Sequence, residues 1–431
     1  MSPIRRRAIL AGALAASAAP RFVRADDKPS KLTIISHRVH QLTATQGPAG
    51  DVTAPWRART GVELEWVTLD LDAIHDRLFR EASLSRSQVS IGFVLNTRAV
   101  PEALRLFEPL DPFMARAPID DFSDMQPRFV DAFRDRSQPE GGHVGIPYRH
   151  AVNAMHYNEA IFADRGVEAP PALIDDLLPV ARKLTHTRAD GTKVAALAFE
   201  ADNYPMMVQF ARAYGGDFIT EDFKIVADQP PMMKALTLMR TLYAEGHLPQ
   251  NITAMSQNDL IGAMQSGTVA MMSFPFGRTV LFNDPKSSKY PGKFRTTFVP
   301  GNASMQARGE VMSTAEFWSM AIPRNAPAKD LAWDLIVWLS KPENTVAEAI
   351  NGNGPVRVSA YADPRLQKMV PYAAQEATAL KWSRVPMPAF AKSAQTKDIA
   401  VEEMQAAMLG MQAPEVSARN MARRIRPLLP A

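Results

Sequence analysis

Val62, Leu64 and Trp66 alternate with Glu63 and Glu65, the period of a strand with one buried face. A helical pattern comes next over 72–83, with Ile74, Leu78 and Ala82 on one side. Residues 31–35 form an apolar opening strand, and 89–95 are apolar nearly throughout. Strand, helix, strand at these spacings is a βαβ pattern, which argues for a parallel sheet covered on both faces. Around Gly145-Ile146-Pro147-Tyr148 the pattern changes. A strand-like run over 151–157 leads into a long, mostly helical region ending near Pro249, read as the crossing into a second lobe. Within it 230–244 reads as a helix with Leu236, Met239, Leu242 and Tyr243 as its buried stripe, and Gly246 stands where a left-handed C-terminal cap belongs. Another helix runs over 328–339. Ser340-Lys341-Pro342-Glu343 then reads as a capping box with proline in the first turn of the next helix.

Length and charge narrow the class. At 431 residues the chain is long enough for two α/β lobes, and 46% hydrophobic with 22% charged residues is an ordinary globular composition. Arg5, Arg6 and Arg7 precede an apolar, small-residue run over 8–19, and Val23-Arg24-Ala25 offers a cleavage site, so residues 1–25 read as an export signal. Arg6-Arg7-Ala8-Ile9-Leu10 resembles a twin-arginine motif, with a plain Sec signal as the alternative. Without that segment the formal charge falls from +4 to −1, which leaves no electrostatic footprint for nucleic acid or anionic lipid. The chain has no cysteine, which excludes disulfides, thiolate nucleophiles, Cys-ligated zinc and a lipidated cysteine at the signal junction. A periplasmic protein, exported, soluble and not lipid-anchored, is expected.

Several strings, weak singly and telling in their order, resemble the extracellular solute-binding proteins of family 1, the receptors of ABC importers for sugars and related solutes. Arg57-Ala58-Arg59-Thr60-Gly61-Val62-Glu63-Leu64 is similar to that family's "FEKETGIKV", and Leu106-Phe107-Glu108-Pro109-Leu110-Asp111 to its "G-LEPLD". Gly145-Ile146-Pro147-Tyr148 with His156-Tyr157-Asn158-Glu159-Ala160-Ile161-Phe162 is similar to "GIPY…YYNKDLF". Residues 262–272 resemble "F-x-x-GKAAM", and Ala321-Ile322-Pro323 with the Trp333 helix resembles "LAIPK…AWEFLKFL". Two departures fall on one helix: Leu173 stands where the family has a threonine N-cap, and Pro179 is expected to kink or shorten that helix. The resemblance implies an α/β fold of two αβα lobes joined by hinge strands, of the periplasmic-binding-protein-like class II. The expected lobes are 31–149 plus 318–352 and 152–315 plus 355–431.

Ligands of such sheets sit at the carboxyl ends of strands. After the first strand come His37, Arg38, His40 and Gln41, a polar lip by the resemblance and otherwise a solvated loop with a helix cap. Asn96, with Thr97 and Arg98, leaves the third strand, and Arg149 and His150 stand at the hinge, as solute contacts or as a bridge between lobes. Tyr204, Phe274, Phe276 and Trp318 fall where the resemblance puts cleft aromatics, with Glu200 and Asp202 near the first in sequence and Glu316 beside the last. Arg357 lies past the last crossing and reaches either the cleft or a surface ion pair. His37 and His40 alone are too few for a metal site, and the pairs Met206-Met207, Met232-Met233 and Met271-Met272 read as gap-filling core. No metal or cofactor is expected.

The resemblance implies a monomeric receptor that closes its lobes on a small solute and hands it to an ABC permease at the inner membrane, with no catalysis. A periplasmic carbohydrate-active enzyme and a chemosensory binding adaptor are the alternatives. No Ser-centred elbow, Gly-rich phosphate loop or metal-spaced histidine string supports an enzyme, although Glu200, Asp202 and Glu316 could form an acid pair. Aromatics with acids favour a neutral carbohydrate, whereas His37, Arg38, Arg98 and Arg149 around one cleft would favour a carboxylated or phosphorylated solute.

Overall fold

The computed structural model describes residues 29–135 and 142–430. The export signal read at 1–25 lies outside the described residues.

The described strands, in chain order, are β1 (Lys31–Ser36), β2 (Glu63–Thr68), β3 (Ile91–Leu95), β4 (Arg134–Asp135), β5 (Gly142–His143), β6 (Ile146–Asn158), β7 (His186–Thr187), β8 (Lys193–Ala198), β9 (Val269–Pro275), β10 (Phe294–Thr297) and β11 (Ala315–Ala321). They take the order β2-β1-β3-β11-β6-β9-β8-β7, with β10 also on β6 and with β4–β5 as a separate pair. The opening βαβ unit forms as the hydrophobic pattern requires. β1 pairs in parallel with β2 and β3, and all of β3 is buried. The helix Leu71–Ala82 lays Ile74, Leu78 and Ala82 on the sheet. Gly92 permits that approach, since a Cβ there would collide with the Leu78 methyls.

The 13 residues of β6 form one strand, longer than the 151–157 read from the pattern. Its first half pairs with β11 from Ile146 to Val152, and its second half pairs with β9 from Asn153 to Tyr157 and with β10 toward Asn158. One strand therefore belongs to both lobes. The region to Pro249 is not wholly helical, because β8 crosses it and pairs in parallel with β9.

Two large cores divide the chain, and apart from Phe276, which packs in the first core from within second-core sequence, it passes between them three times. Ala154 packs in the first core and Met155 in the second; Met312 is in the second and Ala315 in the first; Leu380 is in the first and Met387 in the second. The third passage comes later than the 352–355 expected from sequence, because Val356, Leu366, Tyr372 and Ala379 pack in the first core. Backbone bonds lace the three passages together: Asn153 N donates to Thr314 O (3.0 Å) and Ala315 N to Arg384 O (3.1 Å).

The helix Pro230–Ala244 buries Leu236, Met239 and Leu242, with Tyr243 half-buried, and Gly246 adopts φ +75°. The capping box at Ser340 does not form. Ser340 N bonds Ile336 O and closes the helix Lys329–Leu339, so Lys341 becomes the N-cap of Pro342–Ile350 and makes no side-chain cap bond. Proline does occupy the first turn there, as read. Leu173 likewise supplies no capping side chain; a 3-10 turn Ile174–Asp176 precedes the helix Leu177–Leu184. Pro179 falls in the first turn of that helix, where an N–H has no intrahelical partner to lose. Of the methionine pairs, Met206, Met207, Met232, Met271 and Met272 are buried core, and Met233 is partly buried against it.

Candidate functional site

The loops that leave the carboxyl ends of strands meet where the chain passes between cores. From the first lobe come His37 after β1 and Asn96-Thr97-Arg98 after β3; from the second come Glu200, Asn203 and Tyr204 after β8 and Phe276-Gly277-Arg278 after β9. Between them β6 and β11 run side by side. Their register shifts: Trp318 faces Arg149 while Ser319 faces Pro147, so Tyr148 is an extra residue. A bulge of this kind re-aims side chains and is common beside functional sites. Arg149 stands at it.

The first lobe supplies an aromatic wall. His40 stacks on Phe93 (4.5 Å between centroids) and meets Trp318 edge-on at 4.9 Å and Tyr148 at 5.8 Å. Trp318 also stacks on His75 (5.5 Å). His40 is fully buried, neither ring nitrogen has a hydrogen-bond partner among the described residues, and the indole nitrogen of nearby Trp66 also lacks one there. Burial and then the charge of Arg149 hold the His40 imidazole well below the ordinary histidine range, so it is neutral. His37 is pulled down to about 3 by burial and by Arg278 and Arg149.

The second lobe supplies a polar wall. Glu200 accepts a hydrogen bond from Gln257 Nε2 (2.5 Å), and Gln257 Oε1 accepts from Arg278 Nη2 (3.1 Å). Burial raises the Glu200 carboxyl. Glu316, opposite Ala151 on β11, is raised to about 7 by burial and by the charge of Glu200. Glu316, Tyr204, Asn203, Thr97 and Arg98 line a narrow crevice with free space for about one water molecule. The Tyr204 hydroxyl, buried there, has no hydrogen-bond partner among the described residues.

Two contacts close this crevice across the lobes. Asp72 accepts from Arg98 Nη2 (2.7 Å) and from Lys397 Nζ (2.8 Å), the latter on the helix Ser393–Met408 packed in the second core. Ser393 Oγ donates to Thr97 O (2.9 Å).

Seven of the residues singled out from sequence come together here or on the adjoining walls: His37, Arg149, Tyr204, Phe274, Phe276, Glu316 and Trp318. His37 also caps a helix, its Nδ1 accepting from Val39 N (3.2 Å). Phe274 lies under the Arg278 guanidinium (5.8 Å), and Phe276 packs on Tyr372 (5.7 Å). Asn96 is buried at the crossing, but its Oδ1 is taken by Phe317 N (3.0 Å), a tie between β3 and β11. Four residues do not join. Arg38 is exposed on the first turn of Arg38–Thr45; Gln41 is half-buried in the same helix. His150, one residue from Arg149 on a strand, pairs with the Tyr361 hydroxyl (2.8 Å) and packs near Phe129 (6.2 Å) instead. Arg357 is neither a cleft residue nor a surface ion pair. It is wholly buried, donating to Ser340 O (3.0 Å) and Asp121 O (2.8 Å) and standing 3.7 Å from Asp124.

Sequence reasoning missed Arg278, Gln257, Trp66 and Lys397. Arg278 lies just past the end of a strand, so the rule about carboxyl ends could have found it. Lys397 lies inside a helix far along the chain, with no local signal. Among the described residues no three His, Asp or Glu side chains gather to hold a metal ion, and no helix is long and apolar enough to cross a membrane.

Two αβα lobes, laced by three passages and meeting in a lined cleft, define a two-lobed binding-protein architecture. The chain belongs to the family of bacterial extracellular solute-binding proteins, whose sequence profile it matches over residues 48–346. A Brucella abortus (strain 2308) protein described as a binding protein is 25% identical over 285 residues, 65% of this chain and 64% of that relative, so the match spans less than two thirds of the relative's length. The erythritol/L-threitol-binding protein of Mycolicibacterium smegmatis is 26% identical over 53% of this chain and 46% of its own. The fold is that of maltose-bound MalE3 of T. maritima, with a TM-score of 0.79 at 19% identity over 93% of this chain and 100% of the other.

Proposed function

We propose that this protein captures a small hydroxylated solute, a sugar or polyol, between its lobes and delivers it to an ABC permease at the inner membrane. It works in the periplasm as an exported monomer without a lipid anchor, and it transforms nothing. The lobes of this reading are 31–154 with 315–380, and 155–312 with 387–425, set by the two cores. One observation carries it: buried polar atoms without hydrogen-bond partners among the described residues (His40, Trp66, Arg149, Arg278, Tyr204) converge from both lobes beside aromatic faces. Protein interiors rarely leave such groups unpaired, and a sugar or polyol offers hydroxyls for them and C–H faces for the rings. The ligands named for the relatives, erythritol or threitol in one and maltose in the other, point to the same chemistry.

Closure rests on differential contact. Only a closed form lets both walls touch the solute, so binding favours that form. A thermal-shift screen of sugars and polyols tests the reading, because a ligand that binds only the folded state raises the melting temperature. A rise with one solute class supports it; no rise across sugars, polyols and their acids contradicts it. The enzyme alternative has one observation in its favour, the coupled acids Glu200 and Glu316. Product formation from the solute that raises the melting temperature would establish it; the receptor reading expects none.

A further inference from the structure

We propose that the solute carries an oxyanion, a carboxylate or a phosphate monoester, held between Arg149 of the first lobe and Arg278 of the second. The inference rests on the solute-binding reading above and sharpens it.

Both guanidinium groups are more than nine-tenths buried, with Arg149 3% and Arg278 7% exposed. Their hydrogen bonds within the described residues are few: Arg149 Nε to His150 O at 3.4 Å, and Arg278 Nη2 to Gln257 at 3.1 Å. Arg149 Nη1 and Arg278 Nε have no hydrogen-bond partner among the described residues. Other buried arginines of this molecule are treated differently. Arg357 is met by carbonyls and Asp124, and Arg212 by Asp217 (2.9 Å) and Val385 O (2.8 Å).

Several contacts bring the two groups to one place. β6 and β9 pair as far as Asn153 with Pro275, and Arg278 lies three residues beyond that last pair, toward the Arg149 end of β6. The turn holding Arg278 seats Gly277 directly against the Gly352 backbone, and His150 bridges to Gly354 two residues away. Phe276 packs on Tyr372, whose hydroxyl lies within the electrostatic reach of Arg149.

The fold supplies too little negative charge to balance the pair. Glu200 attracts Arg278 but is hydrogen-bonded to it only through Gln257, and Glu376, the acid that faces Arg149, is raised to about 8 by burial and so is mostly neutral at pH 7. Burial draws Arg149 down to about 9, which still leaves it charged. A neutral hydroxyl could accept hydrogen bonds from such a pair but could not cancel its charge. A carboxylate or phosphate does both, and its oxygens match the planar donor fork of arginine.

The test is calorimetry and thermal shift on the mature protein, unfolded, freed of bound solute and refolded. The probes are matched sets on carbon skeletons of four to six carbons and on a disaccharide: the neutral alditol or sugar, the acid of the same skeleton, and its terminal phosphate. An acid or a phosphate is expected to bind about 100-fold more tightly than its neutral counterpart, a size in keeping with two charge-assisted hydrogen bonds. Whichever anion leads names the source. Arg149→Gln and Arg278→Gln should each weaken the anion far more than its neutral counterpart, so that the advantage of the anion is lost, and Arg278→Lys should restore part of it. If a neutral member binds as tightly as both its anions, the oxyanion is wrong while the receptor reading stands. If no member of any set binds, the receptor reading falls and the oxyanion with it. The wild-type comparison decides the matter even if a variant fails to fold.

Discussion

Arg357 and Arg149 are both buried, yet the molecule handles them in opposite ways. Arg357 fastens the first lobe: one guanidinium gathers Ser340 O from the end of a helix and carbonyls from Asp120 and Asp121, with Asp124 balancing its charge. Arg149, at the bulge of the crossing strand, makes one long hydrogen bond among the described residues; Arg278 is its charged neighbour, and the acid that faces it, Glu376, is kept mostly neutral by burial. A buried charge with its partners in place is part of the frame, and one without them is poised for something brought in from outside. The contrast teaches that burial alone does not distinguish a structural arginine from a binding one. The state of its donors does.

Substitution at the two positions should therefore give opposite results. Arg357→Gln removes a charge whose partners stay buried, and is expected to cost about 3–5 kcal/mol, with a melting temperature lower by roughly 6–20 °C in calorimetry. Arg149→Gln removes an unpaired buried cation, and should leave the solute-free protein within about 1 kcal/mol of wild type or make it more stable. Equal losses at the two sites would erase the distinction.

Glu376 sharpens the point from the acid side. Its folded-state pKa of about 8 lies above its unfolded value, so its protonated form is favoured by folding. That stability is full below about pH 4.5 and is lost as pH rises through 8. Glu376→Gln should thus gain on wild type progressively across that window, read as melting temperature against pH, and show no gain at pH 4. A gain at acid pH would mean that the carboxyl is ionised and paired with Arg149.

The smallest effect belongs to the contact across the crevice. Lys397→Ala breaks the half-exposed pair with Asp72, an interaction worth about 0.2–1 kcal/mol, and should weaken solute binding about two- to five-fold through the open–closed balance. An unchanged affinity would show that the contact does not bear on closure.

Much of the frame was legible in the sequence because local patterns carry it. The alternation at Val62–Trp66, the apolar run of β3 and the glycine at 246 each specify an element within a few residues. The site was legible only in part. His37 and Trp318 stand at positions that strand ends or the family's order make visible, but Arg149 and Arg357 look alike in sequence. What separates them is partners found only after folding, such as Asp121 and Ser340 for Arg357. The third passage escaped for a related reason. Nothing in composition marks residues 356–380 as first-lobe, and the decision is made by packing of Tyr372 and Leu380 into a core begun near Leu32.

Closure around a guest held by both walls is the claim on which the rest depends. Small-angle scattering of the solute-free protein, recorded with and without the compound that most raises its melting temperature, measures it directly. The account predicts a smaller radius of gyration with that compound and no change in Arg149→Gln at the same concentration; identical curves for the wild-type protein at saturating compound would contradict it.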